Sequence, residues 1–428
     1  MLESFIEELR WRGMLHDMIP GLEDQLKKEM TVAYIGFDPT APSLHIGNLA
    51  AIMLLKHFQL CGHKPIALVG GATGMIGDPS GKSAERDFLD EITLRANQIG
   101  IQTQLEKFLD FNCGANTAEV VNNYDWFKDF SFLGFLREAG KFLTVNYMMS
   151  KDSVKKRLET GISFTEFSYQ LLQGYDFYHL YKTKNVRLQM GGSDQWGNIT
   201  TGTEIIRRKE GHDEEALERA AFALTTPLVT KSDGTKFGKS ESGNVWLDAS
   251  KTSPYEFYQF WLNAADADVS RLIRVFTLYS KVQIEELEKQ HQEAPHLRTL
   301  QKAIALEVTT RVHGEHVAQM VIEASNLLFS KDSIELLENA SDELINYLPM
   351  IQVNLENQSL LELLSSATQN EIFSSNGEAR KAILGNAVSV NKVKVTDPFK
   401  KIDKTELIKN KFLLIGNGKQ KNYLLLIK

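Results

Sequence analysis

The chain has 428 residues, of which 43% are hydrophobic and 24% charged, with a formal net charge of −7. This length allows two to four domains, and the composition is typical of a globular protein in water. No apolar run approaches the roughly 20 residues that span a bilayer, so we expect no membrane association. The chain contains only Cys61 and Cys113, which predicts no disulfide framework and favours the cytoplasm.

Short apolar runs that end in glycine alternate with helical patterns in the first half of the chain. The runs predict strands at 32–36, 65–71 and 186–192, and the patterns predict helices at 49–60 and 93–108. This alternation predicts an α/β fold with a Rossmann-like parallel sheet. Ligands of such sheets bind beyond the carboxyl ends of the strands.

The first predicted strand is followed by a turn with two prolines and then by His-Ile-Gly-Asn at residues 45–48. A helix that begins here would present unpaired N–H groups and a partial positive charge, which suit phosphate. His45 adds donors, Gly47 leaves room for an adenosine, and Thr40 can offer a hydroxyl to the terminal phosphate. Read alone, the motif is more often a helix cap without a ligand.

Residues 126–158 are rich in Phe, Leu, Met and basic side chains. They predict an inserted helical hairpin, and the aromatic surplus fits either a core or a subunit interface.

Residues 230–240 combine two glycines, small hydroxyl side chains and three lysines. Such a loop can fold over a polyphosphate and stabilise the charge that develops on leaving pyrophosphate. The alternative is a surface hairpin with ordinary lysines.

Residues 81–83 (Gly-Lys-Ser) are similar to the end of a P-loop, but Ile76 occupies the position where that motif needs glycine. A P-loop ATPase is therefore disfavoured.

The C-terminal half begins with a helical pattern at 253–325, continues through a polar stretch at 325–347, and ends in a small unit at 360–428. Residues 380–428 carry twelve Lys and Arg against three carboxylates, a net charge of +9, which leaves −16 on the rest. This asymmetry predicts contact with a polyanion, although a solvated lysine-rich surface would look the same.

Taken together, these motifs resemble those of class I aminoacyl-tRNA synthetases. Residues 45–48 are similar to the HIGH signature, and residues 236–240 are similar to the KMSKS loop. Over nearly its whole length the chain resembles the bacterial-type tyrosyl-tRNA synthetases, and the stretches 77–83, 169–176 and 191–198 carry that resemblance. The last stretch is shared with tryptophanyl enzymes. Asn48 replaces the second histidine of HIGH, and Phe237 and Gly238 replace Met and Ser of KMSKS.

The resemblance implies five regions. They are a Rossmann-like catalytic domain at 1–222 with an inserted dimerisation region at about 126–160, a KMSKS-like loop region at 223–250, an α-helical anticodon-side domain at 251–325, a linker at 326–358, and a small α+β S4-like RNA-binding domain at 359–428. In the last, Arg380 and Lys381 are expected to contact RNA. Truncation before about Ser359 is expected to spare adenylate formation and cripple tRNA charging.

The spacing of Tyr169, Gln173 and Asp176 places them along one helix face. The resemblance implies a tyrosine pocket in which Tyr34 and Asp176 bind the phenolic hydroxyl. It also implies that the α-ammonium is held by Asp78, Tyr169 and Gln173, with Gln195 near the carboxylate.

For ATP, the resemblance implies binding by Asp38, Gly47, Asn48, Gly192, Asp194 and Lys239. The catalytic side chains would be Thr40, His45, Lys82, Arg86, Lys236 and Lys239. Mg²⁺ is expected to accompany ATP, held mainly by phosphate oxygens. No metal is expected on the protein itself, since the pair His313 and His316 has no carboxylate or cysteine companion.

The expected reaction is tyrosine–tRNA ligation in a homodimer, with L-tyrosine, ATP and tRNA(Tyr) as partners. One alternative is a tryptophanyl enzyme, which Tyr34 with Asp176 and the S4-like tail disfavour. Another is an S4-type RNA-binding or RNA-modifying protein, which has no reason to carry residues 236–240 or 191–198.

Overall fold

A computed structural model describes residues 4–80, 89–211, 220–232, 234, 237–240, 243–355, 358–418 and 421–428. The chain divides into two compact units, Met1–Lys251 with Asn263–Ile304 and Thr252–Leu262 with Ala305–Lys428. Within the described ranges, no helix has the length and apolar character needed to cross a membrane.

The helices are numbered along the chain. They are α1 (Phe5–Arg12), α2 (Leu22–Lys28), α3 (Ile46–Leu60), α4 (Glu91–Phe108), α5 (Tyr124–Phe127), α6 (Phe132–Glu138), α7 (Val145–Met149), α8 (Asp152–Thr160), α9 (Phe164–Lys184), α10 (Trp196–Glu210), α11 (Pro254–Leu262), α12 (Asp266–Phe276), α13 (Lys281–Glu293), α14 (Thr299–His313), α15 (Glu315–Phe329), α16 (Ser333–Asn339), α17 (Asp342–Asn346), α18 (Leu360–Leu363) and α19 (Asn376–Leu384).

The first unit is built on a six-stranded sheet, as an α/β fold of the Rossmann type requires. Its strands are β1 (Asp17–Met18), β2 (Val32–Phe37), β3 (Lys64–Val69), β4 (Glu119–Asn122), β5 (Val186–Gly192) and β6 (Phe222–Thr226), in the order β1-β6-β5-β2-β3-β4. All neighbours are parallel except β1 with β6. The three strands and two helices predicted in this half are therefore confirmed.

The central position of β2 explains its composition. A strand paired on both edges and covered on its faces is apolar throughout, and five of the six β2 residues are buried.

Helix α9 covers β2, since Tyr34 packs in one core cluster with Phe177 and Leu180. Ser163 caps the start of α9 by accepting the Glu166 N–H, and Asn185 in the left-handed region ends it. These two ends fix which side chains of α9 face the sheet.

The inserted region is helical, but it forms the four short helices α5 to α8 instead of one hairpin. Ser131 and Thr144 each cap a new helix start by accepting a backbone N–H three residues later. The aromatic side chains form a cluster with ring centroids 5.2–6.3 Å apart around Tyr175 of α9. Other apolar side chains of the region are exposed, namely Phe132, Leu133, Val145 and Met149.

The second unit contains a five-stranded sheet in the order β11-β10-β12-β13-β9. Its strands are β9 (Met350–Val353), β10 (Val388–Val390), β11 (Val393–Lys394), β12 (Phe412–Asn417) and β13 (Lys421–Ile427), and β9 pairs with β13 in parallel. In the first unit, β7 (Lys239–Ser240) and β8 (Gly243–Asn244) form a separate hairpin.

The stretch 326–358, expected to be a linker, contains the end of α15, the helices α16 and α17, and strand β9. The expectation was wrong because β9 is stabilised by pairing with β13, some 70 residues away. Its sequence, Met-Ile-Gln-Val, is too short to give a local sign of that pairing. A truncation before Ser359 would therefore leave β9 without the strand it pairs with.

Candidate active site

Tyr34 lies near the middle of β2 with only 1% of its surface exposed. Its hydroxyl has no hydrogen-bond partner among the described protein groups. Burial, and after it the charge of Asp176, raises the Tyr34 pKa well above its usual range, so the phenol stays neutral. A buried hydroxyl without a partner is costly, which marks this point of the sheet as one where a polar ligand group belongs.

Asp176 on α9 is 2% exposed, and both of its oxygens accept hydrogen bonds. Trp126 Nε1 donates to Oδ1 at 2.9 Å, and Asn123 Nδ2 donates to Oδ2 at 3.0 Å. Burial raises the pKa of Asp176 well above its usual range, and the two donors oppose that rise. The sequence alone missed Asn123 and Trp126, which follow β4 at the start of α5 and within it, in a stretch with no recognisable motif.

A chain of hydrogen bonds leads from Asp176 to the other end of the pocket. Asn123 Nδ2 also donates to Thr73 Oγ1 at 3.0 Å, and Thr73 Oγ1 donates to Asp38 Oδ1 at 2.7 Å. The Tyr169 hydroxyl then donates to Asp38 Oδ2 at 2.7 Å. The buried Asp176 and the half-buried Asp38 are thus joined through neutral donors, an arrangement that holds every member in one orientation.

Asp38 was predicted to bind ATP, yet both of its carboxylate oxygens are engaged inside this network. Gly70 leaves the space in which the side chains of Asp38 and Thr73 meet. A Cβ at Gly70 would lie 2.0 Å from Asp38 Oδ1 and 2.4 Å from Thr73 Oγ1, so no larger side chain fits there.

Asp78 and Gln195 lie 117 residues apart and meet in the structure. Gln195 Nε2 donates to Asp78 Oδ2 at 2.7 Å, and Asn198 Nδ2 donates to Asp78 Oδ1 at 3.2 Å. Among the buried amide oxygens that find no partner in the described part of the chain are those of Gln173 on α9 and Gln189 on β5. Gln189 is the register partner of Tyr34, so it belongs to the same part of the sheet. The sequence reasoning did not single it out.

The His-Ile-Gly-Asn motif opens α3, as predicted. His45 occupies the N-cap position, and its backbone N–H donates to Asn48 Oδ1 at 3.1 Å. Asn48, in place of the second histidine of HIGH, therefore stabilises the helix start. A Cβ at Gly47 would lie 2.7 Å from His45 Cε1, so this glycine makes room for the imidazole of His45. Thr40 is exposed on the preceding turn.

The two distant motifs lie together in the structure. His45 forms an antiparallel bridge with Trp246, and their rings meet edge to face at 5.9 Å. Val245 N–H donates to the Gly238 carbonyl at 3.1 Å. Gly238 has φ +92°, and a Cβ there would lie 3.0 Å from the Gly47 nitrogen. Backbone contacts thus bring residues 237–240 against the start of α3.

Helix α12 holds the base of the same segment. Asp268 Oδ2 accepts both the N–H and the hydroxyl of Ser232 at 3.2 Å, and Arg271 donates to the Thr230 carbonyl. Phe237 stacks on Phe276 with centroids 5.5 Å apart.

The remaining predicted residues are placed as follows. Lys82, Arg86 and Lys236 lie outside the described residues, and only the backbone of Lys239, at the start of β7, is described. Gly192 ends β5, and a Cβ there would lie 2.7 Å from an Asp194 carboxylate oxygen. Arg380 and Lys381 are exposed on α19.

The two histidines of the pair at 313 and 316 contact different residues. His313 packs against Phe257, whereas His316 faces Glu343.

A parallel sheet with a helix N-terminus and a polar pocket at its strand ends defines a nucleotide-dependent enzyme of the class I synthetase type. A family model described as tRNA synthetases class I (W and Y) matches residues 26–330, and one described as the Tyrosine--tRNA ligase SYY-like C-terminal domain matches residues 341–426. The chain belongs to the class I tRNA synthetases.

Individual relatives narrow this class. The chain is 60% identical to a tyrosine–tRNA ligase of Cytophaga hutchinsonii and 59% identical to one of Amoebophilus asiaticus, in each case over 99% of both chains. A C-terminally truncated mitochondrial tyrosyl-tRNA synthetase of Aspergillus nidulans matches with a TM-score of 0.69 at 30% identity, covering 76% of this chain and 94% of that chain. Within the class, its family is therefore that of the tyrosine–tRNA ligases.

Proposed function

We propose that the chain activates L-tyrosine with ATP to tyrosyl-adenylate and transfers the tyrosine to the 3′ end of tRNA(Tyr), with the residue roles given below. Tyrosine–tRNA ligation is the activity of its family. The observation that carries the proposal for this site is the buried pair of Tyr34 and Asp176 in the sheet-facing pocket.

Tyr34 and Asp176 bind the phenolic hydroxyl of the substrate. The Tyr34 hydroxyl has no protein partner, and the raised Asp176 pKa reflects the cost of burying that carboxyl. Hydrogen bonds to a substrate hydroxyl offset the cost of burying the Tyr34 hydroxyl and the Asp176 carboxyl, whereas phenylalanine would leave both groups buried with no hydrogen bond to the ligand. Asn123 and Trp126 hold Asp176 in place for this contact.

Asp78, Tyr169 and Gln173 bind the α-ammonium, with Gln195 beside the substrate carboxylate. Asp78 is already oriented by Gln195 and Asn198, and Tyr169 by Asp38. Such prior orientation lowers the entropy lost when tyrosine binds. Asp38 thus acts through Tyr169 and Thr73 and contributes indirectly to the site.

In the first step a carboxylate oxygen of tyrosine attacks the α-phosphorus of ATP. The new O–P bond forms as the bond to pyrophosphate breaks, so no proton moves and no general base is needed. Thr40 and His45 stabilise the γ-phosphate side, and Lys82, Arg86, Lys236 and Lys239 stabilise the leaving pyrophosphate. Gly47, Asn48, Gly192 and Asp194 position the nucleoside.

Mg²⁺ enters with ATP, held mainly by the phosphate oxygens, and supplies positive charge to them. Among the described residues, no group of three or more His, Cys, Asp or Glu side chains is arranged to hold a metal ion.

In the second step a terminal adenosine hydroxyl of tRNA attacks the carbonyl of the adenylate, which forms the ester and releases AMP. We assign tRNA contacts to Arg380 and Lys381 of the basic C-terminal region.

We also propose a cytoplasmic homodimer. Phe132, Leu133 and Val145 are exposed apolar side chains of the inserted region, and a second copy would cover them. The two cysteines are unpaired, in keeping with a reducing compartment. Sedimentation of the wild type and of Leu133→Asp tests the dimer, since the variant should sediment as a monomer.

Exchange of labelled pyrophosphate into ATP tests the catalytic proposal. We expect exchange with tyrosine and none with tryptophan or phenylalanine. Lys239→Ala should lower the exchange rate by about 10²-fold or more while the affinity for tyrosine stays near wild type. Exchange that depends on tryptophan would overturn the substrate assignment, and an equal loss of rate and tyrosine affinity would overturn the role of Lys239.

A further inference from the structure

The C-terminal sheet domain carries an exposed aromatic side chain with an arginine over its ring. Phe399 is 61% exposed, and the guanidinium carbon of Arg380 lies 5.2 Å from its ring centroid. A guanidinium at this distance is attracted to the ring and restricts its orientation. More than half of the Phe399 side chain nevertheless remains open to solvent.

The backbone that presents Phe399 is held firmly. Its N–H donates to Asp397 Oδ1 at 2.9 Å, and the neighbouring Pro398 is buried. The carbonyls of Pro398 and Lys400 accept the N–H groups of Leu361 and Leu360 at 3.0 and 2.7 Å. The ring is therefore a fixed projection on a rigid loop, which lowers the entropy lost when a partner stacks on it.

The part of the chain that carries Phe399 is strongly basic. Residues 380–428 carry a net charge of +9, and Arg380, Lys381 and Lys401 are exposed. A single exposed phenylalanine is ordinary. One that is fixed, paired with an arginine and carried by a basic domain fits a partner that has both negative charge and aromatic faces. RNA has both, because phosphates meet the lysines and unpaired bases stack on aromatic side chains.

We propose that Phe399, together with Arg380, is a stacking platform for an unpaired base of the tRNA substrate. The inference rests on the proposed function, which supplies tRNA as the partner. It goes further by assigning to Phe399 the contact with a base, whereas Arg380 and Lys381 were expected only as basic contacts. Phe399 is then a specificity-determining residue that favours RNA with an unpaired base at this position.

The test measures binding of a tRNA(Tyr) transcript to the full chain by fluorescence anisotropy over a range of salt concentrations. Stacking predicts that Phe399→Ala weakens binding by about 5- to 100-fold, that Phe399→Trp restores it, and that Phe399→Leu does not. The slope of log affinity against log salt should stay at the wild-type value in Phe399→Ala and fall by about one in Lys381→Gln. Phe111→Ala, an exposed ring in the other unit, is the matched control and should bind as wild type.

A blunt RNA duplex of about 16 base pairs is the second probe. It has no unpaired base, so the wild type and Phe399→Ala should bind it equally. Three results would each overturn the proposal: equal tRNA binding by wild type and Phe399→Ala, full restoration of binding by Phe399→Leu, or a loss of affinity for the duplex in Phe399→Ala as large as its loss for tRNA.

Because Phe399 is exposed, its replacement should leave the midpoint of thermal unfolding unchanged. Tyrosine-dependent pyrophosphate exchange, measured in parallel, reports separately on the proposed function, and it should be normal in Phe399→Ala.

Discussion

The two halves of the candidate active site are built in different ways. The tyrosine half is made of side chains, in which the buried Thr73, Asn123 and Asp176 and the half-buried Asp38 are linked by hydrogen bonds of 2.7–3.0 Å. The nucleotide half is made of backbone, namely the start of α3, the bridge from His45 to Trp246, and the approach of Gly238 to Gly47.

This difference follows from what each half must recognise. A phenolic hydroxyl is a small neutral group, so selecting it requires buried acceptors and donors at fixed positions. A polyphosphate is large and highly charged, so a helix N-terminus and peptide N–H groups suit it. The comparison predicts that the tyrosine half is sensitive to loss of single polar atoms, and the nucleotide half to changes in backbone freedom.

Asp176→Ala should have the largest effect. It removes the acceptor for the substrate hydroxyl and leaves the donors of Asn123 and Trp126 unpaired, at about 1–3 kcal/mol for each buried group. We expect kcat/KM for tyrosine in pyrophosphate exchange to fall by about 10²- to 10³-fold. Asp125→Ala, an exposed acid on α5, is the control and should keep wild-type kinetics. A loss of less than tenfold in Asp176→Ala would contradict the assignment.

Gly238→Ala tests the backbone half. Its φ of +92° disfavours alanine by about 1–2 kcal/mol, and the new Cβ would press on the Gly47 nitrogen at 3.0 Å. Adenylate formation should slow by about 10- to 100-fold with unchanged tyrosine affinity. Gly234→Ala has a similar φ of +81°, and no atom of the described residues lies within 4 Å of the added Cβ, so stopped-flow rates should show a smaller loss. Equal losses in both variants would mean that the contact with Gly47 is unimportant.

Trp126→Phe should have a smaller effect. It keeps a ring beside His179, which stacks on Trp126 at 4.5 Å, but removes the donor to Asp176. One such hydrogen bond contributes about 1 kcal/mol, so KM for tyrosine should rise by about fivefold while kcat stays constant. Steady-state exchange kinetics check this, and a change in kcat alone would argue against a role in binding.

The pH dependence of stability should show the smallest effect. The folded-state pKa of Asp176 lies well above the unfolded value near 3.8. Over the range from the unfolded pKa to the folded pKa, the folded state binds more protons, so stability falls as pH rises. Asp176→Asn lacks this titration. Urea unfolding at a series of pH values should therefore show the free energy of unfolding of the variant increasing relative to that of the wild type as pH rises. Parallel curves would mean that Asp176 is ionised in the folded protein.

Much of this protein could be predicted from local sequence. The alternation of apolar runs and helical patterns gave the parallel sheet, because these periodicities reflect which side chains are buried. The spacing of Tyr169, Gln173 and Asp176 placed them on one helix face, as α9 does. Residues 45–48 and 236–240 indicated the class of enzyme through their resemblance to the HIGH and KMSKS motifs.

Other features depended on contacts between distant residues. Asn123 and Trp126 meet Asp176 across at least 50 residues, and β9 exists through its pairing with β13. The close approach of Gly47 to the imidazole of His45 likewise appears only in the folded chain. No periodicity records such contacts, because they arise only when separate elements pack. The sequence by itself determined the fold class and the chemistry of the site, whereas the tertiary structure decided which side chains hold Asp176 and where the C-terminal sheet begins.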